Sequence, residues 1–174
     1  MLFNSLLYLL FLAAVVAGSW ALVRWPRLRA ALLLVASCLF YMAWSPRYVL
    51  LILGAAAFDW GMARLIARTP DEQPRVRRAL MLASIAVNLG LLCYYKYVGF
   101  FAENLVALAH TIGFDLSLAV ARTVLPVGIS FFTFQSMAYV IDVWRRQIPA
   151  EPSLWRFWLF ATFFPQLVAG PISR

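Results

Sequence analysis

The chain alternates long apolar runs with short stretches of arginine, proline and acid, and the spacing of that alternation predicts a bundle of membrane-crossing helices. Residues 2–23 form the first run. It exceeds the roughly 7–15 apolar residues of a signal-peptide core and follows no basic segment, so it reads as a retained helix. The second run, 28–44, is short for a hydrocarbon layer of about 30 Å, which takes about 20 helical residues. Ser45, Pro46 and Arg47 make a tight turn, and 48–66 returns with Gly54, Ala57 and Gly61 along one side, a face narrow enough to admit a close neighbour. Asp59 in this helix is expected to lie toward the helix end in reach of Arg64, rather than to serve as an intramembrane functional acid. Residues 68–78, with two prolines and four arginines against Asp71 and Glu72, read as a loop. Helix 79–95 contains Asn88 and ends in Tyr94, Tyr95, Lys96 and Tyr97, the side chains of a membrane interface. Over 99–112, Phe100, Phe101, Leu105, Leu108 and Ile112 recur at helical spacing among polar residues, which predicts a separate amphipathic helix lying along the interface.

Helix 125–144 departs from plain apolarity. At 100° per residue, Gly128, Gln135, Tyr139, Asp142 and Arg146 fall within about 60° of one another, with Ser136 about 120° from Asp142. A carboxylate at the centre of a spanning helix costs about 2.5–3.5 kcal/mol on insertion scales, so the stripe is expected to face protein or a wet cavity. The alternative is that Asp142 pairs along its own helix with Arg145 or Arg146 and only fixes helix depth. The last run, 153–172, begins with Trp155, Arg156 and Trp158 as an interfacial belt and contains Pro165, Gly170 and Pro171. Irregular backbone at membrane depth survives only inside protein or beside water, which places Gln166 and its neighbours in the interior of the fold.

Composition agrees with this outline: 64% of residues are hydrophobic and 13% charged, against about 25% charged in a soluble domain. The expected class is all-α, a polytopic protein of five to six membrane helices in one domain. The net charge of +8 would point to nucleic acid in a soluble chain, but here the cations sit between apolar runs. Arg24, Arg27, Arg29, Arg64, Arg68, Arg75, Arg77, Arg78, Arg145, Arg146 and Arg156 fall on one side, against Arg47, Lys96 and Arg122 on the other, eleven to three. The positive-inside rule makes the first side cytoplasmic and the N-terminus external. Cys38 and Cys93 lie within apolar runs as packing residues, giving neither disulfide framework nor metal site. His110, the only histidine, reads as an interfacial side chain rather than a general base. No phosphate loop, metal-ligand cluster or nucleophile elbow is present.

Two motifs add a resemblance. Leu125 to Ser136 continued by Tyr139 to Arg145, and Phe163 to Ile172, together resemble the signatures of the membrane-bound O-acyltransferase (MBOAT) family, in the bacterial branch of alginate O-acetylation and of D-alanyl transfer to teichoic acids. Pro126, Gly128, Phe164, Pro165, Gly170 and Pro171 carry the match. The resemblance implies transfer of an acyl group, acetyl above all, to a hydroxyl of an extracytoplasmic polysaccharide or envelope polymer. The donor would be a cytoplasmic one such as acetyl-CoA or an acyl-carrier protein, with no resident cofactor or metal. The family's catalytic histidine, in a tryptophan-containing stretch of its carboxy-terminal half, has no counterpart here. The chain is therefore expected to be the amino-terminal part of a longer protein, inactive alone and holding no catalytic residue. Gln135, Tyr139, Asp142 and Gln166 are the supporting or cavity-lining candidates. The implied partners are the lipid bilayer of the bacterial cytoplasmic membrane, the remaining half of the fold and extracytoplasmic polysaccharide-modifying proteins, with no nucleic acid. A transporter would use a polar-striped helix and a broken segment equally well, but no inverted repeat is visible; a noncatalytic scaffold is the third class.

Overall fold

A computed structural model describes residues 6–43, 45–111 and 128–165. They form six helices and, among the described residues, no strand: α1 Leu6–Ala21, α2 Pro26–Met42, α3 Pro46–Arg68, α4 Pro74–Thr111, α5 Ile129–Trp144 and α6 Leu154–Thr162. Proline occupies the first helical position of α2, α3 and α4, where its missing N–H leaves no bond unmade and its fixed φ suits the first turn. Helices α3 and α4 are each long and apolar enough to cross a membrane, and α1 is a shorter apolar helix. On α1 only Val15 and Ser19 are buried, whereas Leu6, Leu9 and Trp20 point outward. Apolar side chains presented all round a helix in this way require lipid as their solvent. The chain is an all-α membrane protein.

The largest difference from the sequence outline is α4. Instead of a loop to residue 78, a helix to Tyr95 and a separate interfacial helix over 99–112, one helix of 38 residues runs from Pro74 to Thr111. Pro74 starts it inside the supposed loop, and no proline comes later to end it. The tyrosines and Lys96 decorate the helix surface without stopping it. At about 1.5 Å per residue α4 is about 57 Å long, nearly twice a hydrocarbon core. The rings of Tyr48 and Tyr95 meet edge to face at 6.3 Å, so Tyr95 stands level with the start of α3 and the residues after it extend past that end.

Helix α3 is the hub, packing against α2, α4, α5 and α6. Its buried stripe is Ile52, Ala56, Asp59, Ala63 and Ile66, spaced at four and three residues. The close helix approach is therefore made by Ala56 and Ala63. Gly54 is exposed, and a Cβ built on Gly54 or Gly61 would meet nothing within 4 Å. Gly54 and Gly61 seat no neighbour among the described residues, because the larger stripe on the roughly opposite side of α3 buries more apolar area. Two indoles fasten α3 to the loop and helix that come after α5: Trp60 Nε1 donates to the Glu151 carbonyl at 2.8 Å, and Trp158 Nε1 to the Leu53 carbonyl at 3.0 Å. Trp158 thus joins two helices.

Helix α5 begins where Gly128 adopts the left-handed region, φ 78° and ψ 2°, and its carbonyl accepts the Phe132 N–H at 2.9 Å. A side chain there would crowd the carbonyl, which explains glycine at this position better than membership of a polar stripe. The helix ends in a Schellman turn: Gln147 N–H donates to the Asp142 carbonyl at 2.9 Å and Arg146 N–H to the Val143 carbonyl at 3.0 Å. Arg146 takes the left-handed position usually given to glycine, at φ 59°. Its guanidinium pairs with Asp71, which also receives Arg77 at 2.8 Å. Arg77 further donates to the Trp144 carbonyl at 2.9 Å, and Arg64 to the Pro152 carbonyl at 3.2 Å. These bonds gather the 69–73 and 145–153 loops at one end of the bundle, where Arg27 also lines a cleft with Pro152.

A second, smaller core joins Val15, Ala36, Phe40 and Phe164. Helix α6 stops at Thr162; Phe163 leaves helical geometry at ψ 105°, two residues before Pro165, and this turn delivers the Phe164 ring against Phe40 at 5.4 Å. Cys38 packs against the main core, whereas Cys93 faces outward, so only one of the two thiols is a packing residue.

Candidate functional site

Helix α5 presents two polar faces. Ile129, Thr133, Ser136, Val140 and Val143, at alternating steps of four and three, are all buried in the main bundle. Turned by one residue, Gln135, Tyr139 and Asp142 share a second face, and the structure brings all three to one cavity of about 340 Å³. Its remaining walls come from Ile148, Pro149 and Glu151 of the loop and from Arg156, Phe157 and Phe160 of α6. The sequence placed Gln135, Tyr139 and Asp142 on a common stripe; their meeting with Glu151 and Arg156 depends on the chain folding back after Ala150.

Each polar group is held differently. Gln135 is 3% exposed, and its Nε2 donates to the Phe160 carbonyl at 3.1 Å while its Oε1, also buried, has no protein partner. A buried amide oxygen without a donor costs about 1–3 kcal/mol, so an acceptor is left unmet in the wall of the cavity. The Tyr139 hydroxyl accepts the Glu151 N–H at 2.9 Å, leaving its own hydrogen free to donate, and its ring packs on Phe157 at 4.6 Å. Asp142 is half-buried and pairs with neither Arg145 nor Arg146, the latter being engaged by Asp71. Glu151 accepts the Ser153 N–H at 3.1 Å. The Arg156 guanidinium lies over the Trp155 ring at 5.5 Å. The cavity therefore combines an aromatic wall with two carboxylates, an amide acceptor, a phenol donor and one cation, enough to orient an amphipathic ligand.

A second constellation lies buried in the bundle. Asp59, fully buried between α3, α4 and α5, accepts from Ser84 Oγ and from Asn88 Nδ2 at 2.7 Å each, both on its Oδ1. Asn88 also donates to the Ser84 carbonyl at 3.0 Å, and the Ser136 hydroxyl of α5 lies beside the same carboxyl. This corrects the expectation for Asp59. It does not lie in reach of Arg64, whose side chain stacks on Trp60 at 4.8 Å and bonds to Pro152. The signal available in the sequence was Ser84 and Asn88 at i and i+4, one face of the helix next in line after an intramembrane acid.

Among the other candidates, Phe164 and Pro165 belong to the turn against α1 and α2, away from the cavity. Pro126, Gln166, Gly170 and Pro171 lie outside the described residues. His110 is exposed near the end of α4. Among the described residues no group of three or more His, Cys, Asp or Glu is placed to hold a metal.

No family model matches the sequence, and no solved structure does. Curated proteins do. The chain is 34% identical over 174 residues, all of its length, to the protein named probable alginate O-acetylase AlgI of Pseudomonas aeruginosa, and 33% identical to its namesake in Azotobacter vinelandii. It is 29% identical over 167 residues to the peptidoglycan O-acetyltransferase of Helicobacter pylori, which covers 80% of the chain. These alignments take in 33%, 34% and 30% of the three relatives, so the chain spans about a third of their length. Matched along its whole length to the two probable alginate O-acetylases, and carrying both signature stretches, the chain belongs to the membrane-bound O-acyltransferase family.

Proposed function

We propose that the chain forms part of an O-acyltransferase of the cytoplasmic membrane, with its N-terminus outside, which moves an acetyl group from a cytoplasmic thioester donor to hydroxyls of an extracytoplasmic polysaccharide. Acetyl-CoA or an acyl-carrier protein fits the donor's role, and alginate or a related envelope polymer that of the acceptor. The observation that carries the proposal is the convergence of Gln135, Tyr139 and Asp142 on one cavity beside the arginine-rich loops. By the positive-inside rule, a donor arriving from the cytoplasm meets that end of the bundle first. In this role Gln135 Oε1 accepts an N–H or O–H of the ligand, Tyr139 donates, and the aromatic wall excludes water from an apolar portion. Proton removal from the acceptor hydroxyl falls to residues beyond the matched third, along with the polymer site and contacts to envelope proteins that present the polymer.

The test is a chimera in which residues 1–174 replace the matching third of the Pseudomonas aeruginosa relative, expressed in cells lacking that protein. The chimera is expected to restore O-acetylation of the polymer, and Gln135→Leu and Asp142→Leu to lower it at least tenfold at equal membrane abundance. Unchanged acetylation in both variants, or none from the unsubstituted chimera at normal abundance, would overturn the proposal.

A further inference from the structure

Arg156 borders two spaces. Besides the acceptor-rich cavity, it lines an open cleft of about 640 Å³ with Arg27, Ala31, Leu34, Ser153 and Trp155. Neither arginine has a carboxylate partner among the described residues, although Asp71 draws in two other arginines nearby. Both α2, at Pro26, and α6, at Leu154, begin at this cleft, so the positive ends of two helices reinforce the two guanidinium charges. Below the cleft Ala31, Val35 and Leu39 form an exposed apolar ridge on α2 at four-residue steps.

We infer that this cleft binds the phosphate headgroup of an anionic membrane phospholipid, with one acyl chain lying along the Ala31, Val35 and Leu39 ridge. The two arginines and the helix ends supply charge and donors for a phosphodiester. A soluble phosphate would use the same donors but not the ridge. The Trp155 indole lies beneath Arg156, and indoles are favoured at the polar–apolar boundary of a bilayer. Because Arg156 faces the other cavity too, an occupied cleft holds this cation away from Asp142 and Glu151, leaving that cavity more acidic.

The test uses the 174-residue chain in detergent, with retained lipid counted by native mass spectrometry after exchange against phosphatidylglycerol, phosphatidylcholine of the same chains, or glycerol phosphate. One phosphatidylglycerol per chain is expected to survive delipidation, with phosphatidylcholine retained at least tenfold less. At about a kcal/mol for each basic residue near an anionic surface, Arg27→Gln with Arg156→Gln should weaken retention roughly tenfold or more. Arg24→Gln with Arg68→Gln removes the same charge from the same end of the bundle but lies outside the cleft, and should leave retention unchanged. Equal loss in both double variants would show diffuse surface charge and overturn the site. So would equal retention of both lipids, or displacement by glycerol phosphate, which would make the ligand a soluble anion. Circular dichroism of each variant confirms that losses are read on folded protein.

Discussion

Removing the Asp59 carboxyl should loosen the contact between α3 and α4 by a calculable amount. Its Oδ1 accepts two hydrogen bonds of 2.7 Å in a fully buried setting. Asp59→Ala removes the acceptor of both bonds at once. A buried donor left unpaired costs about 1–3 kcal/mol in general, but hydrogen bonds between membrane helices average only about 0.6 kcal/mol with a maximum near 1.7. Two features of the site favour the lower values: Asn88 keeps its bond to the Ser84 carbonyl, and the Ser84 hydroxyl can turn back to the Leu80 carbonyl four residues earlier. The expected loss is about 1–3 kcal/mol, a fall of roughly 2–10 °C in Tm for a chain of this size. Asp59→Asn keeps an oxygen in the Oδ1 position and should lose under about 1 kcal/mol. The assay is thermal unfolding in detergent of the wild type, both variants, Asn88→Ala and the Asp59→Ala, Asn88→Ala double variant, whose coupling isolates the pair. If Asp59→Asn were as damaging as Asp59→Ala, the carboxylate charge rather than its hydrogen bonding would matter, and the reasoning from the two donors would fail.

The same geometry sets other outcomes. Gly128→Ala places a side chain at φ 78° and should destabilise by about 1–2 kcal/mol, whereas Gly54→Ala, with open space around its Cβ, should be neutral or slightly stabilising; thermal unfolding of both compares them. Ser136→Leu forces a larger side chain into a fully buried position and should reduce folded protein in the membrane, while Asp142→Leu, at a cavity wall, should leave abundance intact; quantitative blotting of membrane fractions decides. In a background lacking Cys38 and Cys93, a cysteine at position 73 should resist an impermeant reagent added outside and one at position 47 should react, and the reverse pattern would invert the topology.

Membrane character was legible because apolar length is a property of each segment by itself. Helix 48–66 differs from α3 chiefly at its ends, where Pro46 and Arg68 are helical. The common face of Gln135, Tyr139 and Asp142 was legible for the same reason, since helical geometry alone fixes which residues of one rod align. The features that were misread needed knowledge of neighbours. Gly54 and Gly61 could seat a helix, and Ile52, Ala56, Ala63 and Ile66 could too; only packing decided between the faces. Ser136 looked like an indifferent position off the stripe, yet it lies at the contact with the most buried acid in the bundle. Tyr94 to Tyr97 mimicked a helix end because aromatic residues mark an interface by side-chain chemistry while leaving the backbone free to continue.

The two polar faces of α5 act on each other through the rigidity of the helix that carries them. Ser136 and Thr133 are buried, Ser136 beside Asp59 of α3, while Gln135 and Tyr139 bond to the Phe160 carbonyl and the Glu151 N–H. The cavity's floor is thus fixed at both sides, and its mouth is left to Asp142, Ile148 and Arg156, which are half-buried or exposed. Substitutions in the buried Asp59 cluster should therefore lower the amount of folded protein without altering what the cavity selects, because Gln135 and Tyr139 move only when α5 does. Changes at Asp142 or Arg156 should do the opposite and alter ligand affinity at constant Tm. Measuring both quantities for Asn88→Ala and Asp142→Asn separates the two, and a shift in affinity from Asn88→Ala without any change in Tm would show that the cluster reaches the cavity by some route other than the stability of α5.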